Sequence, residues 1–273
     1  MAKTKDRRAL AQNFLRSSGP VRSLLEASSI GPRDIAYEIG PGRGIITAEL
    51  ARVARWVIAI EKDPDLARGL CVKFQNVHNV QIITNDFLRY QVPDRKYKIF
   101  ANIPYNLTAE IVRKILYIPP VPVEAYLVMQ KEAAEKFSGS PGETQFSVLA
   151  KPWFEIRIVQ TPRRTDFEPM PSVDSVLLQI KKRACALIRQ EDAFLYRRFV
   201  HYGFCTWKNS LKLTFKPVFS YPQWKHLSRD LHFPLDVIPS KLTFEQWLGL
   251  FECFKQRVPR NKQLYVKYVA SVT

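Results

Sequence analysis

Short apolar runs alternate with amphipathic stretches through the first two-thirds of this 273-residue chain. The runs are rich in Val, Ile and aromatic residues and predict buried strands at Ile35–Ile39, Trp56–Glu61, Val80–Thr84, Tyr97–Ala101 and Val123–Gln130. The stretches between them have helical apolar spacing and predict helices at Ile45–Ala54, Pro64–Gln75 and Leu107–Ile118. This alternation is typical of an α/β fold with a doubly wound, mostly parallel sheet.

The end of this region and the last third of the chain follow other patterns. Trp153–Gln160 and Ser175–Ile180 predict an antiparallel strand pair, joined by a proline-rich, charged loop at Thr161–Val173. Aromatic residues then recur at helical spacing, at Phe194, Phe199, Phe204, Trp207, Trp224, Phe244, Trp247 and Phe251. We therefore predict a sheet domain over residues 1–183 and a small all-helical domain over residues 184–273, which ends in a tail after residue 257.

Composition limits the class of protein. With 46% hydrophobic and 12% aromatic residues, the chain can build a packed core. It has no apolar run of membrane-spanning length and no apolar signal core at the N-terminus, so a cytoplasmic protein without membrane attachment is expected. The four cysteines are widely separated, which predicts buried thiols and neither a metal site nor disulfides.

The positive charge is concentrated near the C-terminus. The chain has a net charge of +17, and residues 181–273 hold 17 basic against 6 acidic residues, while residues 1–180 hold 25 against 19. A basic segment of this kind favours a nucleic-acid partner, because each cation placed on a phosphate releases a counterion. The alternative is a charged surface that serves only solubility.

A glycine-rich loop follows the first predicted strand. Gly40, Gly42 and Gly44 alternate after the acidic residue Glu38, and a second acid, Glu61, ends the second strand. Glycines at a strand-to-helix turn let the backbone approach a ligand, and a carboxylate at the next strand end can accept both hydroxyls of a ribose. The pattern favours a nucleoside cofactor over a plain turn.

Asp86 and Phe87 follow the third predicted strand. The carboxylate could accept the amino hydrogens of an adenine while Phe87 packs near its ring. A purely structural alternative makes Asp86 a helix N-cap and Phe87 a core residue.

The fourth predicted strand ends in the sequence Asn102-Ile103-Pro104-Tyr105. This pattern is typical of enzymes that methylate an exocyclic amino nitrogen. The Asn102 oxygen and the Pro104 carbonyl can accept the two N–H groups of an adenine and orient its nitrogen for attack. The ring of Tyr105 can stack on the purine. Phe167, in the later proline-rich loop, could cover the other face of an extruded base, or could simply anchor the loop.

Taken together, these motifs resemble the ribosomal RNA adenine N6-methyltransferases, the superfamily of the Erm macrolide-resistance enzymes and the KsgA-type dimethyltransferases. The motifs are Gln12–Leu15, Glu38–Gly44, Glu61, Asp86–Phe87, Asn102–Asn106 and Phe167–Ser175. The resemblance implies a Rossmann-like methyltransferase domain with S-adenosylmethionine as methyl donor. It implies cofactor contacts from Asn13, Leu15, Gly40, Gly42, Glu61, Asp86, Phe87 and Asn102, and a catalytic group of Asn102, Pro104, Tyr105 and Phe167, with no metal.

Fewer residues indicate to which branch of the superfamily the chain is similar. Ile103 is typical of Erm enzymes, where KsgA-type enzymes usually have Leu, and the sequences around Trp153 and Val176 also resemble Erm proteins. The Erm resemblance implies a monomer that methylates one adenine of 23S ribosomal RNA before the ribosome is fully assembled, and resistance to macrolide, lincosamide and streptogramin B drugs. The alternatives are a KsgA-type small-subunit enzyme, a non-catalytic nucleic-acid-binding relative and a DNA adenine methyltransferase, for which the helical segment offers little base readout.

Overall fold

The computed structural model describes residues 13–205 and 210–269, so Gln12 and Trp207 lie outside the described residues. The chain forms two compact units. We call them the sheet unit, which holds the residues up to Ala134 and Glu155–Lys182, and the helical unit, which holds Glu135–Phe154 and the residues from Arg183 onward.

The elements are numbered in chain order. The strands are β1 Phe14–Leu15, β2 Ile35–Ile39, β3 Trp56–Glu61, β4 Val80–Thr84, β5 Lys98–Asn102, β6 Glu124–Gln130, β7 Phe154–Gln160, β8 Phe167–Glu168 and β9 Ser175–Lys182. The helices are α1 Ser18–Glu26, α2 Ile45–Val53, α3 Pro64–Lys73, α4 Thr108–Tyr117, α5 Lys131–Ser138, α6 Gln145–Ala150, α7 Ala193–Phe204, α8 Leu211–Thr214, α9 Tyr221–Asp230, α10 Phe244–Arg257 and α11 Arg260–Val269.

The main sheet has seven strands in the order β4-β3-β2-β5-β6-β9-β7. Strands β2 to β6 pair in parallel, and β9 runs antiparallel to β6. The predicted α/β fold and its closing strands are therefore confirmed. A second, two-stranded pairing joins β1 to β8, with Leu15 opposite Phe167, inside the segment that we expected to be a loop.

The boundary between the units differs from the predicted division at residue 183. Helix α6 belongs to the helical unit because Val148 is fully buried in that unit's core. The hydroxyl of Tyr196 also donates a hydrogen bond to the Val148 carbonyl, at 2.7 Å. These long-range partners have no signal in the local spacing of residues 135–154.

Aromatic side chains fill the core of the helical unit. Phe199 packs with its ring centroid 4.9 Å from that of Phe215 and 4.8 Å from that of Phe254. Trp247 is fully buried and donates its indole hydrogen to the Pro239 carbonyl. The aromatic spacing along the sequence thus marks this core at Phe199, Trp224, Trp247 and Phe251, whereas Phe194 is 51% exposed.

The prediction of a tail after residue 257 is wrong. Residues Arg260–Val269 form helix α11, whose Val266 is fully buried. The side chain of Gln263 donates to backbone carbonyls at the end of α10, among them that of Val258 at 2.8 Å. A single buried position in three turns is too weak a pattern to predict a helix, so packing against its neighbours stabilises α11.

The structure also shows how exposed the cysteines are and whether any described helix could span a membrane. Cys71, Cys185 and Cys205 are exposed and Cys253 is half-buried, so the expectation of buried thiols is wrong. Cys71 follows the buried Leu70 on α3, and helical spacing turns it toward solvent. Among the described residues, the helices are too short or too polar to span a membrane.

Candidate active site

The strand order creates a crevice between β2 and β5. These neighbouring parallel strands are far apart in sequence, and β2 also pairs with β3 on its other side. Loops that leave the two strands therefore diverge to opposite sides, and open α/β sheets bind ligands at such a switch point. The glycine loop follows β2 and the Asn102–Tyr105 segment follows β5, so the fold brings the two strongest sequence motifs together.

A pocket lies at this switch point. Its lining comprises Asn13, Phe14, Leu15, Gly40, Pro41, Arg43, Ile45, Ile46, Asn102, Ile103, Pro104 and Tyr105. Of the predicted site residues, it brings together Asn13, Leu15, Gly40, Asn102, Pro104 and Tyr105. Gly42, Glu61, Asp86, Phe87 and Phe167 are not part of this lining.

Sequence reasoning missed several lining residues that stand beside the motifs. Pro41 and Arg43 occupy the positions between the three glycines, and their place in the loop is the signal that could have identified them. The guanidinium carbon of Arg43 lies 5.6 Å from the ring centroid of Phe14. This cation–π contact fixes one wall of the pocket.

Gly42 allows the loop to pack against this wall. Its φ is +55°, and a Cβ atom added there would lie 2.7 Å from a ring carbon of Phe14. At Gly40, an added Cβ meets no atom within 4 Å, so that position faces open space. The alternating glycines thus combine a left-handed turn with close packing on one side and an accessible backbone on the other.

Glu61 ties the glycine loop to the end of β3. Its side chain is 7% exposed, and its two carboxylate oxygens accept hydrogen bonds from the backbone amides of Gly42, at 3.2 Å, and Asp63, at 2.9 Å. Each carboxylate oxygen can accept a further hydrogen bond. Glu61 is therefore held rigidly, with acceptor capacity left for a ligand.

Asp86 and Phe87 occupy the next strand end. Asp86 accepts from the Leu88 amide at 3.0 Å and pairs with Lys62 at 2.7 Å, and the hydrogen bond from Lys62 holds the pKa of this carboxyl below its ordinary value. Phe87 is 6% exposed and lies 4.8 Å beneath the Lys114 ammonium. The turn-capping and core roles are both present, and the carboxylate remains an ionised acceptor.

The amide of Asn102 is oriented by its surroundings. Its nitrogen donates to the backbone carbonyl of Asn13 at 2.6 Å. Because Nδ2 is held in this way, Oδ1 is the atom of the amide that can accept from a bound group.

The Pro104 carbonyl, predicted to accept from the adenine, is engaged within its own turn. It accepts from the Leu107 amide at 3.0 Å and from the Thr108 hydroxyl at 3.3 Å, at the start of α4. Both lone pairs of that oxygen are thereby used within the turn. Within residues 13–205 and 210–269, no donor reaches the carbonyl of Ile103, a residue that lines the same pocket, so this oxygen is left for a ligand.

Tyr105 begins the turn that follows this segment. Its hydroxyl shares a hydrogen bond of 2.9 Å with Ser175, the first residue of β9. The contact orients the ring, which is half-buried at the pocket.

Phe167 belongs to the core. It is 2% exposed and packs in a hydrophobic cluster with Leu15 and Val21, because the β1–β8 pairing turns it inward. We therefore withdraw its predicted role as a cover for the base in favour of the structural alternative.

Glu38, the acid before the glycines, is buried beside the site at 1% exposure. The Thr47 hydroxyl donates to Oε2 at 2.6 Å, while no donor from the described part of the chain reaches Oε1. Burial raises the pKa of Glu38 to about 8. The group is thus largely protonated at neutral pH.

Comparisons with known proteins agree with this geometry. Residues 3–256 match the ribosomal RNA adenine dimethylase family. An rRNA adenine N-6-methyltransferase of Aeromicrobium erythreum is 34% identical over 91% of this chain and 73% of its own length. The ribosomal RNA small subunit methyltransferase A of Thermotoga maritima is 30% identical over 89% of this chain and 86% of its own.

Among solved structures, the 23S rRNA methyltransferase ErmE is similar with a TM-score of 0.83 and 29% identity, covering 89% of this chain and all of that one. Matches in sequence and in fold thus extend over both units. The chain belongs to the ribosomal RNA adenine dimethylase family.

Proposed function

We propose that this protein transfers a methyl group from S-adenosylmethionine to N6 of one adenine in 23S ribosomal RNA, and so confers macrolide, lincosamide and streptogramin B resistance. The observation that carries the proposal is the anchored Asn102 amide, which presents Oδ1 in the pocket next to the glycine loop. The 23S target is supported by the likeness to ErmE and to the Aeromicrobium enzyme.

The residues around the pocket fit S-adenosylmethionine. Glu61 would hold the ribose hydroxyls, Asp86 the adenine amino group, and the exposed side of Gly40 would allow the methionine portion to lie against the backbone. Asn13, just before β1, and Leu15 line the pocket. Gly42, which lets the loop pack on Phe14, and the buried Phe87 would support the cofactor site from outside this lining. When bound, the cofactor supplies an electrophilic methyl group.

The protein's own contribution is to position and polarise the adenine. Asn102 Oδ1 and the Ile103 carbonyl accept its two N–H bonds, which increases electron density on a nitrogen whose lone pair is otherwise conjugated with the ring. Tyr105 stacks on the purine and holds it in place. The proton leaves after attack, when the amine carries positive charge, so no strong base is required.

The helical unit would bind the RNA. Its excess of basic residues suits a phosphate backbone. The enzyme would act as a monomer on RNA that is not yet covered by ribosomal proteins.

Primer extension on ribosomal RNA from cells with and without the gene tests the proposal. We expect a new stop in the peptidyl-transferase loop of 23S RNA. A stop near the 3′ end of small-subunit RNA would favour the KsgA-type function, which the Thermotoga relative supports. The absence of any stop, together with no heat on titration with S-adenosylmethionine, would favour a non-catalytic RNA-binding protein.

A further inference from the structure

Helices α7 and α11 pack side by side in the helical unit. The Tyr202 and Tyr265 rings lie edge to face with centroids 6.1 Å apart, and Val266 is buried in the same core as Phe199. The family match ends at residue 256, before α11 begins. The surface that the two helices form together therefore lies partly outside the residues that the family model matches.

This surface exposes aromatic rings. We define the α7–α11 face by Phe194 and Arg198 on α7 and by Lys267 and Tyr268 on α11. Phe194 is 51% exposed and Tyr268 is 68% exposed. The Arg198 guanidinium lies 5.1 Å and the Lys267 ammonium 5.2 Å from the Phe194 ring centroid, so the face carries cations directly beside an exposed ring.

The charge of the two helices has one sign. The basic residues of α7 and α11 are Arg197, Arg198, Arg260, Lys262 and Lys267, and the sequences of both helices contain no Asp or Glu. Lys255 of the adjacent α10 pairs with Asp192 and Glu252. A face of exposed rings on acid-free helices is complementary to a polyanion with planar groups rather than to an average protein surface.

We propose that the α7–α11 face binds unpaired nucleotides of the ribosomal RNA substrate, with bases stacked on Phe194 and Tyr268 and phosphates paired with Arg198 and Lys267. Unpaired nucleotides fit better than duplex, because bases inside an A-form helix offer no free face for stacking. The inference rests on the proposed function, since it adds a docking site for the RNA on which the enzyme acts.

Fluorescence anisotropy with the full-length protein tests the face, with a labelled single-stranded 12-nucleotide RNA and a 12-base-pair RNA duplex as probes. Phe194→Ala and Tyr268→Ala are each expected to weaken binding of the single strand about tenfold, within the range for loss of one stacked base, and to weaken duplex binding much less. Lys267→Gln should reduce the slope of log Kd against log salt by about 0.7, the value for one phosphate contact on a single strand.

Matched controls come from α9 of the same unit. Tyr221 is 61% exposed and the Arg229 side chain is 73% exposed, and both lie outside the face. Tyr221→Ala and Arg229→Gln should leave the affinity and the salt slope close to those of the wild type. Tyr268 lies near the end of α11, so Tyr268→Ala still tests the face if Phe194→Ala disturbs α7, which circular dichroism would show.

The outcomes separate the two proposals. If ribosomal RNA is methylated normally but neither aromatic variant changes the Kd for the single strand, the proposal that the α7–α11 face binds RNA is wrong and the proposed function stands. If no ribosomal RNA is methylated but both variants weaken single-strand binding, the enzymatic proposal fails and the RNA-binding face stands. A concentration-dependent dimer that Phe194→Ala abolishes would overturn the face by assigning it to a second copy of this chain.

Discussion

At the scale of the residue, side chains in and beside the pocket combine a structural and a chemical role. Glu61 holds the Gly42 amide while keeping acceptor capacity, and Asn102 donates to Asn13 while presenting its oxygen. Such double use fixes the geometry of a site before any ligand binds. It also means that a substitution must be compared with a control that preserves the fold.

Asn102→Ala is expected to reduce the single-turnover methylation rate by about 10²–10³, the cost of removing one oriented polar group from a transition-state site. The measurement uses a short RNA hairpin that carries the target adenine. Glu110→Gln, at an exposed position of the first turn of α4 and outside the motif, is the control and should stay close to wild type. Wild-type turnover in Asn102→Ala would refute the polarising role.

The roles of the ring and the hydroxyl of Tyr105 can be tested separately. Tyr105→Phe keeps the stacking ring and loses only the hydrogen bond to Ser175, so it should retain much of the activity. Tyr105→Ala should lose most of the activity, mainly because the loss of stacking weakens binding of the target adenine by about 1–3 kcal/mol. The comparison is made in the same hairpin assay, and complete inactivity of Tyr105→Phe would show that the hydroxyl itself is needed.

Glu61→Ala should weaken S-adenosylmethionine binding by about 1–3 kcal/mol, because charged hydrogen bonds to the ribose are lost. Isothermal titration measures the change, with Asp65→Ala on the exposed side of α3 as the control. An unchanged affinity in a well-folded Glu61→Ala protein would contradict the assignment of this residue.

Glu38 makes stability depend on pH. Its pKa of about 8 lies above the usual value of 4.5, so the folded state retains a proton that the unfolded chain releases. This contribution is complete below pH 4.5 and is lost as the pH rises to 8. Glu38→Gln has no group that titrates at this position. The melting temperature of the variant minus that of the wild type should therefore increase by several degrees from pH 5 to pH 9, since a change of 1 kcal/mol in stability shifts the melting temperature by about 2–4 °C. A difference in melting temperature that stays the same from pH 5 to pH 9 would show that Glu38 does not titrate in this range.

At the scale of the element, the glycine loop also packs against the last turn of α3 and the residue after it. Gly44, with a φ of +74°, begins α2, and a Cβ there would lie 2.7 Å from Leu70 and 2.8 Å from Phe74, both of which are buried. Close approach of the loop to Leu70 and Phe74 therefore requires a residue without a side chain at position 44.

Gly44→Ala should lower the free energy of unfolding by about 1–3 kcal/mol, through overpacking and left-handed strain. Gly69→Ala is the control, because this helical glycine of α3 has no atom within 4 Å of an added Cβ. That variant should be neutral or up to about 1 kcal/mol more stable. Denaturant unfolding measures both, and equal stabilities would contradict the packing argument.

At the scale of the whole molecule, the helical unit is built from two separate stretches of the chain. A protein cut after Lys182 keeps α6 but loses the helices that cover Val148. We expect it to aggregate in size-exclusion chromatography, whereas a protein cut after Val258, which lacks only α11, should be soluble and melt at a lower temperature. A monodisperse protein ending at Lys182 would show that α6 does not need those helices.

Local patterns of the sequence by themselves determined the strands β2, β3 and β4 and both motif loops. Alternation, helical spacing and glycine positions act over a few residues, so the chain reports them directly. The same holds for Asn102 and Glu61, which stand at predictable strand ends where parallel strands meet.

Only the tertiary structure decided which groups face the pocket and which face the core. Phe167 is buried by the β1–β8 pairing, the Pro104 carbonyl is used by the start of α4, and α6 and α11 owe their places to partners distant in sequence. Burial and hydrogen-bond saturation depend on what the rest of the chain brings near a residue, and local spacing carries no record of that.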